Sequence, residues 1–180
     1  MRRMRLLFLT FIVSAWLAGV PANPAWSHLL ALPAAAGGSE QALAIIVNQS
    51  NPVDNCSVEE LRKIFLGERS HWPNGRRITV VMLDPAQPER KVVLKEIYGM
   101  TEKNFSSHFL QGVFAGTVLG APKTLSTPSD VRKFVFNVPG AIGYVRAADV
   151  DNSVKVLRVD GRLPDDKDYQ FRLQARAGKP

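Results

Sequence analysis

The segment FLGERSHWPNGRRITVVML, residues 65–83, decides how this chain folds. It opens on the end of an apolar helix, crosses a charged connection and closes in a strand from Ile78. Gly67 suits the left-handed closing position of the helix, and Asn74-Gly75 is a turn dipeptide. A helix returning to a strand in this way belongs to an α/β layer. The joint between them is long, basic and aromatic, so it raises three alternatives: a catalytic loop, an anion site or a purely structural connection.

Working back from Phe65, CSVEELRKIFLG (residues 56–67) starts on a capping box. The Ser57 hydroxyl and the Glu60 carboxylate each satisfy a backbone N–H left free at the helix start. Val58, Leu61, Ile64 and Phe65 share a face, while Arg62 and Lys63 suit the negative C-terminal end. Before it, ALAIIV (residues 42–47) is a short continuous apolar run ended by NQSNP, a buried strand and its turn.

Working forward, Pro88 opens a helix as a favoured first-turn residue. Val93 with Ile97 and Leu94 with Tyr98 continue it to Gly99. Thr101 caps a third helix that places Phe105, Phe109 and Val113 in line. FAGTVLGAPKTLS (residues 114–126) is a loop punctuated by Gly and Pro. Thr127-Pro128-Ser129-Asp130 starts a fourth helix with Val131, Phe134, Val135 and Val138 inward, stopped by Pro139-Gly140. AIGYV (141–145) and VKVLRV (154–159) are further strands. Strands separated by helices predict an α/β three-layer sandwich with a mixed, largely parallel sheet.

The first residues stand apart from this pattern. Arg2, Arg3 and Arg5 precede an uncharged apolar run over residues 6–20, followed by small-residue exits, the three parts of a secretory signal peptide. The run is shorter than the ~20 residues of a spanning helix. The expected organisation is a leader over 1–27, a flexible Ala- and Gly-rich segment over 28–43, a domain over 44–172 and a tail over 173–180, in the periplasm. The formal charge of +7 falls to +4 without the three leader arginines, and the remaining basic residues are spread along the chain. Nucleic-acid binding needs a clustered basic footprint, so it is excluded as a partner. Cys56 is the only cysteine and has no intramolecular disulfide partner.

The chemistry-bearing motifs are missing. His28, His71 and His108 lie at no metal-ligand spacing, and there is no HExxH, Cys-pair, Walker, GxGxxG or GxSxG pattern. Asp84, Glu89, Asp130 and the Asp165-Asp166-Asp168 run form no recognisable hydrolytic pair. The expectation is a protein that is not an enzyme, with no catalytic residue, metal or cofactor.

Four segments in order resemble the phosphate-type periplasmic solute-binding proteins of ABC transporters. They are NPVDNCSVEELRKIFLGERSHWPNGRRITVV, FAGTVLGAPKTLST, VRKFVFNVPGAIGYV and VKVLRVDGRLPDDKDY. The resemblance implies a type II periplasmic-binding-protein-like fold, here in a short, single-lobe form. It makes the residue 65–83 connection a structural joint, with Trp72 packed as a plug and Asn74-Gly75 setting the turn. It moves the ligand question to LDPAQPERK (residues 83–91). In phosphate binders of the family a strand end carries an Arg, and a Ser-Gly-Thr type turn opens the next helix. Here the Arg position falls on Met82 or Leu83, and the turn positions fall on Gln87, Pro88 and Glu89. Arg90 then offers an anion contact and Gln87 a hydrogen bond, with Ser50, Thr127 and Ser129 as further polar contacts. The function implied is binding of phosphate or another small anion for transport or sensing, with a membrane transporter or sensor protein as partner. The alternative is an envelope interaction module that keeps the fold and has lost the ligand.

Overall fold

The structure is a computed structural model and describes residues 41–118 and 120–173. The expected leader, nearly all of the 28–43 segment and nearly all of the tail lie outside the described residues.

The centre of the fold is a five-stranded sheet in the order β4-β3-β5-β1-β6. Its strands are β1 (Leu43–Asn48), β3 (Thr79–Leu83), β4 (Lys123–Leu125), β5 (Ala141–Arg146) and β6 (Val154–Val156). β3 runs parallel to β4 and β5, whereas β1 is antiparallel to β5 and β6. The sheet is therefore mixed, and every residue of β1 is buried. That burial on both faces explains why ALAIIV reads as a continuous apolar run instead of an alternating one.

Register shows that both faces are covered. Val81 and Gly143 share one face of the β3–β5 pair, Met82 and Tyr144 the other. A Cβ on Gly143 would meet Val131 and Val135 of α4 (Pro128–Asn137), so α4 lies on that face. The Tyr98 hydroxyl donates to the Met82 Sδ at 3.4 Å, which puts the other helices on the opposite face. These are α1 (Val58–Leu66), α2 (Pro88–Val93) with a following π-turn over Leu94–Tyr98, and α3 (Glu102–Phe114). Tyr98 sits edge-on to Phe65, Phe105 and Phe109, at ring-centroid distances of 5.8, 5.0 and 6.2 Å, and so joins α1, the π-turn and α3. The three-layer α/β arrangement expected from the element order is the one observed.

Local chemistry fixes the joints. Both bonds of the α1 capping box are present, and Gly67 closes the helix with φ +82°. At the end of β1, the buried Asn48 amide donates to the carbonyls of Val135 at 2.9 Å and Phe136 at 2.6 Å. These are carbonyls in the last turn of α4, which no further helical N–H can reach.

The connection after α1 is a miniature hairpin. Gly75 N–H bonds to Trp72 O and Trp72 N–H to Arg76 O, each at 2.9 Å, and His71 bridges Arg77. Trp72 is 3% exposed, and its indole N–H donates to Gly140 O at 3.0 Å. Burying a ring of this size contributes about 4 kcal/mol. Gly140 has no substitute here, because a Cβ would lie 2.0 Å from Arg77 O. The connection is a joint locked by an indole plug.

Three features depart from the sequence pattern. Lys123–Leu125, read as loop, is a strand. It is a mostly exposed edge of three residues and carries almost no hydrophobic signal. VKVLRV breaks at Leu157: β6 pairs with β1, and β7 (Arg158–Val159) leaves to pair with β2 (Asn55–Cys56). On α3 the inward residue after Phe109 is Gly112, while Val113 is 48% exposed. Seven residues is close to two turns of 3.6, whereas eight drifts round the cylinder.

Candidate functional site

In open α/β sheets, loops beyond the carboxyl ends of parallel strands converge with the following helix N-termini. Here that end is formed by Asp84 after β3, Ser126 after β4 and Arg146 closing β5, with α2 and α4 starting beside them. The first two loops are tied together. Asp84 N–H bonds to Leu125 O at 2.9 Å, and the Gln87 amide donates to Ser126 O at 3.2 Å.

The Asp84 carboxylate turns its own loop by accepting from Ala86 N–H at 2.9 Å. Gln87 is the α2 N-cap without a side-chain cap bond, because its amide reaches across to Ser126 instead. Pro88 removes one N–H from the helix start.

Arg90 is 3% exposed and almost fully engaged. Nε and Nη2 form a fork on Glu102 at 2.9 and 2.6 Å, and Nη1 donates to Leu83 O at 2.8 Å. The guanidinium also lies 5.0 Å over the Phe105 ring. Burial opposes its charge, yet the bonds to Glu102 outweigh that and the pKa is shifted upward. Burial likewise pushes up the hydroxyl of neighbouring Tyr144, which accepts from Leu83 N–H.

Glu89 is 2% exposed and pairs through Oε1 with Arg146 Nε, while its Oε2 has no hydrogen-bond partner among the described residues. The Arg146 side chain is 43% exposed, and its Nη groups make no protein hydrogen bond among the described residues. Thr127 caps α4, accepting from Asp130 N–H at 3.1 Å and donating to its carboxylate at 2.7 Å. Ser129 lines a shallow depression beside Arg132, Asp151 and Ser153.

Of the residues singled out in the sequence, Gln87, Glu89 and Arg90 come together, with Thr127 and Ser129 on the adjoining helix start. Ser50 does not join them. It follows β1, which runs against the parallel strands, so it lies at their amino end and bonds to Asn48 Oδ1 at 2.8 Å. Arg146 was missed. Its signal was a cation ending an apolar strand at the carboxyl end of the parallel strands.

A site of this build carries both signs. Asp84, Glu89 and Asp130 are balanced by Arg90, already committed, and by Arg146, which keeps free donors.

A profile of the PBP superfamily domain matches residues 40–168, and this chain belongs to that family. Among solved structures, it is similar to an ABC-type phosphate transport receptor from Vibrio cholerae (24% identity, TM-score 0.55, 69% of this chain and 48% of that one). It is also similar to PstS from Borrelia burgdorferi (17% identity, TM-score 0.59, 74% of this chain and 55% of that one). The likeness is one of fold, and the chain spans about half the length of these proteins.

Proposed function

We propose that this chain is an exported solute-binding domain that holds phosphate or another small anion at the carboxyl ends of its parallel strands. It would serve ABC-type transport or sensing in the periplasm, handing its ligand to a membrane transporter or sensor protein. The observation that carries the reading is Arg146, a half-exposed guanidinium that pairs with Glu89 in the first turn of α2 and whose Nη groups make no protein hydrogen bond among the described residues. A guanidinium fork suits two oxygens of one oxyanion, and a helix start adds partial positive charge. The fold supports the ligand class, since it is shared with a phosphate transport receptor. The leader pattern over residues 1–27 supports export.

Calorimetric titration of phosphate and sulfate into the chain from His28 tests this, with Arg146→Lys alongside. The lysine keeps a cation facing Glu89 and removes the fork. The expected result is saturable 1:1 binding of an oxyanion, weakened about tenfold in the variant. No binding by the wild type retires the reading.

The interaction-module reading draws on a separate observation. Leu110, Val113 and Phe114 form an exposed apolar stripe on α3, with Phe114 85% exposed. Such a module would ignore oxyanions and self-associate or hold a partner, which sedimentation at several concentrations detects.

A further inference from the structure

The outer side of α3 takes no part in the strand-end site. At about 100° per residue, Lys103, Ser107, Leu110 and Phe114 fall within about 60° of one another round the helix. The buried Phe105, Phe109 and Gly112 lie on the opposite side of the cylinder, so this line is the outermost ridge of α3. All four of its residues are exposed, Leu110 by 62% and Phe114 by 85%. Their spacing of four, three and four residues is that of a coiled-coil seam. The chain after α3 turns to the inner side. The N–H groups of Thr117 and Val118 bond back to Gly112 O at 2.9 and 3.2 Å, and Val118 is buried against Gly112. Beside the ridge, the Ser106 hydroxyl is already satisfied by Glu102 O at 3.0 Å, so covering it strands no donor.

Charge decides the occupant. Between Lys103 and Lys123 the chain has no Asp, Glu, Lys or Arg, so Lys103 is the only charge on the ridge. A partner of either sign finds one cation to meet. A second copy of this chain finds a match, because the ridge is cationic at one end and aromatic at the other. Packed antiparallel about a two-fold axis crossing between residues 108 and 109, it sets Lys103 against Phe114 of the other copy. Ser107 then faces Leu110, a small side chain opposite a large one. Each ammonium lies on an aromatic face and at the negative end of the facing helix. A parallel pair would set the two Lys103 ammonium groups against each other.

We propose that the outer ridge of α3 is a two-fold interface between two copies of this chain, formed by antiparallel pairing of the two helices. The pairing goes beyond the interaction-module reading, since it commits the apolar face to a second copy and leaves the strand-end site intact. It stands independently of the anion reading. α3 has 13 residues and is about 20 Å long. One face of such a helix offers less than the ~800 Å² per partner of a standard interface, so the pair forms reversibly and comes apart on dilution.

Sedimentation velocity on the mature chain from His28, between about 10 μM and 1 mM, tests it on the wild type, Leu110→Glu, Phe114→Ser and Arg146→Lys. The two ridge substitutions replace exposed side chains and leave the core intact. The expected result is a wild-type sedimentation coefficient that rises with concentration. Leu110→Glu abolishes the rise, Phe114→Ser weakens association about tenfold, and Arg146→Lys leaves it unchanged. Oxidation reads the register: Lys103→Cys copies cross-link to Phe114→Cys copies and not to one another, while the buried Cys56 stays out of reach. A wild type that remains monomeric throughout overturns the proposal. So does association that persists in Leu110→Glu, which assigns it to another face, or cross-linking among Lys103→Cys copies alone, which shows a parallel pair. Flotation with phosphatidylglycerol vesicles completes the test: a monomer that binds them through Phe114 makes the ridge a lipid contact and overturns the proposal as well.

Discussion

Replacing Arg90 with alanine separates a structural arginine from a ligand-binding one. The wild-type guanidinium holds the carbonyl of Leu83, the last residue of β3, and ties that strand end to Glu102 at the start of α3. In Arg90→Ala the buried Leu83 carbonyl loses this donor, at a cost of about 1–3 kcal/mol. The stacking over Phe105 disappears as well, worth about 1–2 kcal/mol for a desolvated cation. Glu102 is 41% exposed in its side chain and returns to water, so its lost pair adds little. The sum is about 2–5 kcal/mol, a large share of the ~5–15 kcal/mol that typical domains possess. Urea unfolding followed by circular dichroism reads it as a lower midpoint at unchanged slope. Stability within about 1 kcal/mol of wild type would refute the reasoning and free Arg90 for a ligand.

Trp72→Phe keeps most of the plug and deletes the bond to Gly140 O. It should cost about 1–3 kcal/mol in the same unfolding assay. Gly140→Ala forces a methyl into a gap that ends 2.0 Å away at Arg77 O, so the melting temperature should fall more than for any surface substitution. Burial pushes the Cys56 thiol up to about 12. An unfolded cysteine ionises near ~8.5, so the folded state holds its proton more tightly and loses stability as pH rises above that value. The cost between pH ~8.5 and ~9.5 is about 1 kcal/mol, and Cys56→Ala should remove that part of the slope. In the native protein the thiol should also react slowly with a disulfide reagent at mildly alkaline pH, and rapidly once urea is added.

What could be read from the sequence was whatever is local. The Ser57–Glu60 box, Gly67, the Asn74-Gly75 turn, Gly99 and the Thr127-Pro128 start are decided within a few residues, and each element stands where its signals put it. β4 is too short and too exposed to carry a pattern, and the break at Leu157 depends on partners in β1 and β2. The site was harder for the same reason. Glu89 and Arg90 announce two charges at a helix start. Only the fold brings Glu102, 12 residues away, onto one and Arg146, 57 residues away, onto the other. Sequence showed the charges of this loop, and tertiary pairing decided which partners they take.

The most direct test of the central claim is amide mapping by NMR during a phosphate titration of the ¹⁵N-labelled chain. The account predicts saturable shifts confined to the loop after β3, the start of α4 and the Arg146 end of β5. Their absence, or shifts confined to the amino ends of β3 and β4, would contradict binding at the strand-end site.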